Sequence, residues 1–153
     1  MIRKAVRAVL LDPDNRVLLV LFREPETGAT FWTTPGGGLD AGETLENGLR
    51  RELREEAGLE EFETGPLLWT RREVFRWAGQ TVDQRETFIL VSVPVFEVRP
   101  TVDLAAEDVH GHRWWTVGEL EASEETVYPT RLAALLRDLL EHGPPPKPFD
   151  AGV

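Results

Sequence analysis

The chain has 153 residues with 27 acidic and 17 basic side chains, and its formal net charge is −10. This length and a hydrophobic content of 41% suit one domain with a real core, and the chain is short for two domains. The acidic charge argues against a nucleic-acid polymer or an anionic membrane as a partner, because phosphate groups are held mainly by Lys and Arg.

The chain contains no cysteine, which excludes disulfides, thiol catalysis and cysteine-ligated zinc and agrees with a reducing compartment. Its longest apolar run covers 88–96 and is far shorter than the about 20 residues that a membrane-spanning helix needs. We therefore expect a soluble, cytoplasmic protein.

Runs rich in apolar and β-branched residues predict strands, bounded by turn compositions such as Asp12-Pro13-Asp14-Asn15 and Ala78-Gly79. The predicted strands cover 3–11, 16–22, 32–34, 67–77, 87–98 and 112–116. The first two are expected to form a hairpin, and so are the fourth and fifth. The segments 23–31 and 101–111 are predicted to be loops.

Three helices are predicted, over 45–57, 117–121 and 131–142. Thr44 is the predicted N-cap of the first helix, and Gly58 is placed to end it in a left-handed conformation. Thr130 is the predicted N-cap of the last helix, and Gly143 is its predicted stop. The proline-rich segment 144–153 is expected to drape over the domain or to stay mobile.

Three glutamates, Glu52, Glu55 and Glu56, stand at positions i, i+3 and i+4 of the first predicted helix, so their carboxylates share one face. A solvated acidic face beside neighbouring arginines is one interpretation. At about 100° per residue, however, the glutamates lie about a quarter turn from the apolar stripe, at the edge of the core rather than opposite it. The stripe consists of Leu45, Leu49, Leu53 and Ala57. Oxygen ligands gathered at the edge of a core suit a hard cation such as Mg²⁺ or Mn²⁺.

The segment from Gly37 to Leu59 resembles the Nudix box, the signature of the MutT-like Nudix hydrolase family. It contains Gly37, five residues, Glu43, seven residues and then Arg51-Glu52-Leu53-Arg54-Glu55-Glu56-Ala57-Gly58-Leu59, so that every specified position of the box is met. The resemblance implies an α+β fold, the Nudix-type α/β/α sandwich with a mixed central β-sheet. We expect one domain of this kind over 1–143, followed by the tail 144–153.

The resemblance also implies which residues form the site, with Mg²⁺ or Mn²⁺ as the cofactor. The implied metal ligands are Gly36, through its carbonyl, Glu52, Glu55 and Glu56, with Glu107 as the candidate for a further acidic ligand. The implied catalytic residues are Glu52, Glu55, Glu56 and Arg51, with Glu52 favoured as the general base. The candidates for substrate binding are Arg23, Gly37, Gly38 and Glu43.

Several of these roles have a structural alternative. Arg51 either orients Glu55, four residues further along the helix, or forms an ordinary exposed ion pair. Glu43 either anchors its loop or supports the metal ligands from behind. Glu107 is either a ligand or a solvated loop acid, and Arg23 either contacts a substrate phosphate or is a solvated surface residue.

The function implied by the resemblance is metal-dependent cleavage of the pyrophosphate bond in a nucleoside diphosphate linked to another moiety, a small-molecule substrate. An alternative is a non-catalytic module that senses a nucleotide, which loss of a box glutamate would indicate, and none is lost. Prenyl diphosphate isomerisation, found in box-bearing relatives, uses a cysteine that this chain does not have. Homodimers are common among similar proteins, and the acidic charge gives no reason against one.

The substrate itself is not indicated by the box. Similar enzymes that act on oxidised guanine nucleotides use an asparagine near the start of the C-terminal helix, whereas the only asparagines here are Asn15 and Asn47. That difference argues against specificity for 8-oxo-guanine. Most of the five tryptophans are expected to pack in the core or along strands rather than to stack on a base.

Overall fold

The computed structural model describes residues 2–153, which form a mixed eight-stranded sheet with helices on both faces. The strands are β1 (Ile2–Leu11), β2 (Val17–Arg23), β3 (Thr30–Thr33), β4 (Gly36–Gly38), β5 (Leu67–Trp77), β6 (Gln80–Ser92), β7 (Val109–Trp115) and β8 (Phe149–Asp150). The helices are α1 (Leu45–Ala57), α2 (Val117–Ala122) and α3 (Leu132–His142), and a short 3₁₀ turn covers Leu104–Glu107.

The sheet is organised around β1. The strand order is β3-β2-β1-β6-β5-β8, with β4 paired to β1 and β7 paired to β2. β1 and β6 run parallel, as do β5 and β8, whereas the other pairs are antiparallel. The predicted first hairpin is confirmed only at its closed end, where Leu11 pairs with Val17, because β4 occupies the same edge of β1 further along.

Two apolar clusters cover the two faces of the sheet, as expected for an α/β/α sandwich. On one face, Leu49, Leu53 and Ala57 of α1 pack with alternate β1 residues such as Val6 and Leu10. On the other face, the leucines of α3 and α2 pack with buried tryptophans. The buried tryptophans are Trp32, Trp69 and Trp115. The predicted α+β architecture, an α/β/α sandwich with a mixed central β-sheet, is therefore confirmed.

The helix that carries the box glutamates has the predicted bounds and caps. Thr44 accepts a hydrogen bond from the Asn47 backbone N–H at 3.1 Å, and Gly58 adopts a left-handed φ of 69°. The predicted cap of the last helix is wrong, because Arg131 occupies the N-cap position without a side-chain cap. Thr130 instead donates its hydroxyl to the Val153 carbonyl at 2.8 Å.

Two strand predictions are wrong at their ends. β6 begins at Gln80 rather than at residue 87, because residues 83–86 also pair with β5. The prediction missed these residues because they are polar and do not have the apolar pattern of a strand. It stops at Ser92 because Pro94 cannot continue a ladder. β7 begins at Val109, inside the predicted loop 101–111, where Val109 pairs with Phe22 of β2.

The proline-rich segment packs on the domain and adds the short strand β8. Phe149 and Asp150 pair with Trp69 and Thr70 of β5, and Ala151 is fully buried. Among residues 2–153, no helix combines the length and the hydropathy required to cross a bilayer.

Candidate functional site

The site begins with the glycine turn formed by β4, in which Gly36 lies opposite Arg7 of β1. Gly36 has a φ of +139°, and a Cβ at this position would lie 2.0 Å from the carbonyl oxygen of Val6. A Cβ on Gly37 would lie 2.7 Å from Oε1 of Glu52. Glycine is therefore required here by the close approach of β1 on one side and of α1 on the other.

The helix α1 presents its glutamates to this turn. Glu52 and Glu56 are only 8% and 4% exposed, and the Glu55 side chain is 25% exposed. The backbone N–H of Gly36 donates to Oε2 of Glu56 at 3.3 Å. Burial and the neighbouring Glu52 raise the pKa of Glu56 well above its ordinary value. The interpretation of these residues as a solvated acidic face is therefore wrong for Glu52 and Glu56.

Arg51 connects the glycine turn to the box carboxylates. Its Nε and Nη2 donate to the two carboxylate oxygens of Glu43 at 2.9 and 2.8 Å, and Nη1 donates to Glu52 at 3.0 Å. Nη2 also donates to the Gly38 carbonyl at 3.0 Å. The predicted pairing with Glu55 is present at 3.6 Å, but it is the longer contact. Arg51 thus orients Glu52 and the turn more directly than it orients Glu55.

Glu43 anchors its loop in this structure. It accepts both Arg51 donors and the Asp40 backbone N–H at 3.0 Å. The Arg51 hydrogen bond and the Asp40 N–H lower the pKa of Glu43 to about 2. Glu43 is therefore fully ionised at neutral pH and contributes a fixed negative charge that holds Arg51 in place.

Two predicted residues from outside the box lie on neighbouring segments. Glu107 ends the 3₁₀ turn before β7, and burial followed by repulsion from Glu52 and Glu55 raises its pKa. Arg23 is exposed at the end of β2, and its backbone N–H donates to the Asp108 carbonyl at 2.9 Å. Glu107 is therefore close enough to the glutamates of α1 to interact with them, whereas Arg23 is connected only to the neighbouring Asp108 backbone. The predicted roles of both residues stay predictions.

A buried ionic network that the sequence analysis missed lies behind the turn. Arg7, Glu86 and Arg71 are 8%, 3% and 4% exposed. Glu86 accepts Arg7 Nε at 2.6 Å and Arg71 Nη1 at 2.7 Å. Burial opposes ionisation of Glu86, but the two arginines outweigh it and its pKa is lowered. The available signal was a charged residue, Arg7, in the middle of an otherwise apolar strand.

Arg7 links this network to the glycine turn, because its Nη1 donates to the carbonyls of Gly36 at 3.1 Å and Thr34 at 3.3 Å. The backbone of Gly36 is consequently held on both sides of its Cα, by Glu56 at the N–H and by Arg7 at the carbonyl. The backbone atoms predicted to face a metal are thus fixed by side chains from β1 and α1.

Half-buried aromatic rings surround the outer side of the network. Phe31 stacks on Phe22 at 5.7 Å and meets Trp77 at 6.3 Å and Tyr128 at 5.4 Å. Trp32 and Trp69 belong to the core, as expected for most tryptophans. Trp77 instead lies in this partly exposed cluster, beside Phe75 at 6.4 Å.

The side chains fit a hard cation by their chemistry. Within residues 2–153, no three His, Asp or Glu side chains are gathered into a ready-made metal cluster. In this arrangement Arg51 donates to Glu52, and the Gly36 N–H donates to Glu56. Two buried carboxylates beside a carbonyl nevertheless form an oxygen-only donor set, which suits Mg²⁺ or Mn²⁺. A cation would also offset the repulsion between Glu52 and Glu56.

The sandwich fold and the glutamate-lined glycine turn together define an enzyme of the pyrophosphohydrolase class. The family model described as NUDIX domain matches residues 1–139, so the chain belongs to the NUDIX family and is a Nudix hydrolase. The resemblance noted in the sequence is thereby confirmed.

Curated relatives and solved structures agree with this assignment. The chain is 26% identical to the RNA pyrophosphohydrolase of Sphingopyxis alaskensis, over 91% of this chain and 90% of the relative. It is 31% identical to the nucleoside triphosphatase NudI of Salmonella newport, over 71% of this chain and 77% of the relative. The MutT protein of Methanosarcina mazei Go1 has the same fold, with a TM-score of 0.63, 20% identity and coverage of 92% of this chain and 94% of that one.

Proposed function

We propose that this Nudix hydrolase is divalent-metal-dependent and cleaves the pyrophosphate bond of a nucleoside diphosphate linked to another moiety. The observation that carries the proposal is the burial of Glu52 and Glu56 against the glycine turn. Their carboxylates repel each other there, and at the C-terminal half of α1 they do not stabilise the helix dipole. A bound cation would offset the repulsion between the two carboxylates, which explains why both are buried at this place. The named relatives are an RNA pyrophosphohydrolase and a nucleoside triphosphatase, and both names indicate cleavage of a phosphoanhydride bond.

Each residue has a defined task in this proposal. Mg²⁺ or Mn²⁺, when bound, would neutralise the charge that builds on the phosphate oxygens. Glu52, Glu55, Glu56 and the Gly36 carbonyl would hold it, with Glu107 as the further acidic ligand. Arg51 keeps Glu52 oriented through its 3.0 Å hydrogen bond, which supports Glu52 as the general base that removes a proton from the attacking water.

The substrate-binding roles follow from position. The backbone of Gly37 and Gly38 lines the turn beside Glu52, and Glu43 fixes this turn through Arg51. Arg23 is exposed at the end of β2, where its side chain is free to contact a phosphate. We propose a small nucleotide-type substrate and a cytoplasmic location. A homodimer stays a prediction that light scattering would test.

The test is hydrolysis of a panel of nucleoside triphosphates, ADP-ribose, NADH, dinucleoside polyphosphates and nucleotide sugars with Mg²⁺ or Mn²⁺. Glu56→Gln should lower kcat/KM by about a hundredfold or more, equivalent to about 2.7 kcal/mol of transition-state stabilisation. Glu46→Gln is the matched control, because Glu46 is an exposed carboxylate on the same helix. It should leave kcat/KM within about twofold.

Two results would contradict the proposal. One is a Glu56→Gln variant that retains the activity of the wild type. The other is no turnover of any compound by a wild-type protein that binds nucleotides, which would favour the non-catalytic sensing module.

A further inference from the structure

One buried guanidinium in the structure has an edge with no partner. Arg71 of β5 has a side chain that is 3% exposed, and its Nη1 donates to Glu86 at 2.7 Å and to Glu73 at 2.8 Å. Among the hydrogen bonds of residues 2–153, its Nε and Nη2 have no acceptor. Buried donors are rarely left unpaired in native proteins, so this pair of N–H groups needs an explanation.

The two unpaired groups form a single recognition edge. In a planar guanidinium, the Nε and Nη2 hydrogens project in parallel and match two adjacent acceptor atoms. Other arginines of this chain use the same edge on a carboxylate. These pairs are Arg51 with Glu43 at 2.9 and 2.8 Å, Arg72 with Asp83 at 3.1 and 3.0 Å, and Arg137 with Glu121 at 3.1 and 2.5 Å. The Arg71 edge therefore has the pair of donors that a ligand with two neighbouring acceptors requires.

The charges around Arg71 favour a neutral ligand. The positive charges of Arg7 and Arg71 are already balanced by Glu86 and Glu73, all of which are joined by hydrogen bonds. A phosphate or carboxylate would add an uncompensated negative charge beside two glutamates. A planar ring carrying carbonyl oxygen or ring nitrogen acceptors would not disturb this balance.

The surroundings also favour a planar ring. The ring centre of Tyr128 lies 5.3 Å from the guanidinium carbon of Arg71, and Phe31 lies 5.4 Å from Tyr128. Both aromatic rings are half-buried. Aromatic side chains beside an arginine edge provide a stacking surface together with hydrogen-bond donors, which is the combination that binds nucleobases.

The edge lies close to the proposed reaction centre through a short chain of contacts. Arg71 and Arg7 share the carboxylate of Glu86, and Arg7 donates to the Gly36 carbonyl at 3.1 Å. These contacts join the Arg71 edge to the glycine turn at which the proposed function places the phosphates, which is what a base and phosphates of one nucleotide require.

We propose that Arg71 is the specificity-determining residue of the proposed hydrolase, and that it binds a nucleobase with two adjacent acceptors. Guanine offers O6 and N7, and cytosine offers N3 and O2. Adenine places its N6 donor beside N7 and N1, uracil has N3–H between its carbonyls, and 8-oxo-guanine has N7–H, so none of these fits the edge. Because Nε and Nη2 are closed to solvent, the proposal requires a neighbouring side chain to move when the base enters, and the half-buried Tyr128 beside the guanidinium is the candidate.

The inference rests on the proposed function, and its test is the base preference of the enzyme. We would compare kcat/KM for GTP, CTP, ATP, UTP, dGTP, 8-oxo-dGTP and 7-deaza-dGTP in the wild type, Arg71→Lys and Arg72→Lys. Lysine keeps the charge at position 71 but has no two-donor edge. Arg72 is the matched control, since it is the exposed neighbour on the opposite face of the sheet and already binds Asp83.

The wild type should prefer GTP or CTP over ATP and UTP by about tenfold or more, and Arg71→Lys should reduce this preference to within about threefold. Arg72→Lys should leave it unchanged. Loss of about tenfold with 7-deaza-dGTP relative to dGTP would assign guanine through N7, whereas preference for CTP over dGTP would assign cytosine.

Absence of any base preference in the wild type would overturn the inference, even if the Arg71 variant failed to fold. An Arg71→Lys protein that folds but loses activity on all bases alike would also overturn it, because that result indicates a purely structural arginine. If no nucleotide is hydrolysed, the proposed function fails, and the same ratios measured as dissociation constants by calorimetry test Arg71 separately.

Discussion

At the scale of single residues, the backbone of Gly36 is the point where the fold and the site meet. Its N–H donates to Glu56 and its carbonyl accepts from Arg7, so an α-helix and a strand hold the two peptide groups on either side of the Gly36 Cα. The contact with Val6 leaves no volume for a side chain. The orientation of this carbonyl is therefore set before any ligand binds.

Replacing Gly36 by alanine should be far more damaging than replacing another glycine of positive φ. Gly36→Ala should lower the free energy of unfolding by about 2 kcal/mol or more and abolish hydrolysis, because the new Cβ overlaps the Val6 carbonyl. Gly42→Ala is the control, since Gly42 has a φ of +76° but no atom within 4 Å of its Cβ position. It should cost about 1 kcal/mol. Urea unfolding of both variants measures the difference, and equal losses would contradict this account.

The roles of the residues differ in how far the sequence predicts them. Glu43, Arg51 and the box glutamates fall within one short segment, so spacing alone brings them together on α1 and its loop. Arg7 and Glu86 are 79 positions apart, and no local pattern pairs them. The unpaired edge of Arg71 depends on the packing of several strands, so residue spacing in the sequence could not predict it.

At the scale of elements, prediction succeeded where the determinants are local. The helix α1 has its N-cap, apolar stripe and terminal glycine within 15 consecutive positions, 44–58, and its bounds are as predicted. The start of β6 and the cap of α3 were wrong because both depend on distant partners. β6 is ordered by β5 and β1, and Thr130 binds the C-terminal residue Val153 instead of capping its helix.

The segment that forms β8 should contribute to stability although its composition suggests a tail. Ala151 is fully buried, and its backbone N–H donates to the Thr70 carbonyl at 2.8 Å. Ala151→Asp should therefore lower the free energy of unfolding by about 3 kcal/mol, since a charge would be buried without a partner.

Val153→Asp provides the control for this prediction, because the Val153 side chain is 70% exposed while its backbone carbonyl still accepts from Thr130. Its effect should stay within about 0.5 kcal/mol. Urea denaturation of the two variants decides the matter, and an Ala151→Asp protein as stable as the control would mean that β8 is not docked in solution.

At the scale of the whole molecule, the Arg7–Glu86–Arg71 network joins β1, β5 and β6 inside the sheet. Because burial opposes ionisation of Glu86 but the two arginines outweigh it, its pKa in the folded protein is lowered. The ionised form therefore stabilises the fold above the ordinary glutamate pKa of about 4.3. This contribution is lost as the pH falls through the lowered value.

Glu86→Gln should cost about 3–5 kcal/mol at pH 7, because it leaves buried Arg7 without its carboxylate partner and Arg71 with Glu73 alone. The difference from the wild type should shrink as the pH is lowered below about 4, where the protonated glutamic acid becomes equivalent to glutamine. Urea unfolding between neutral and acid pH measures this convergence.

Glu97→Gln is the matched control for Glu86→Gln, since the Glu97 side chain is 75% exposed in its pair with Arg99. It should change stability by less than about 0.5 kcal/mol throughout. A cost of Glu86→Gln that is independent of pH would show that the carboxylate does not stabilise the fold through its charge.

The parallel pairing of β1 with β6, from Ile2 opposite Asp83 to Leu11 opposite Ser92, also has a consequence for synthesis of the protein on the ribosome. β1 is translated well before β6, so it cannot complete this pairing until β6 has also been translated. During that interval α1 can form, with its leucine stripe and its acidic face exposed and the sheet behind it incomplete. The apolar stripe of α1 thus gains its complete sheet partner only after β6 has been translated, and this long-range pairing delays folding of the chain.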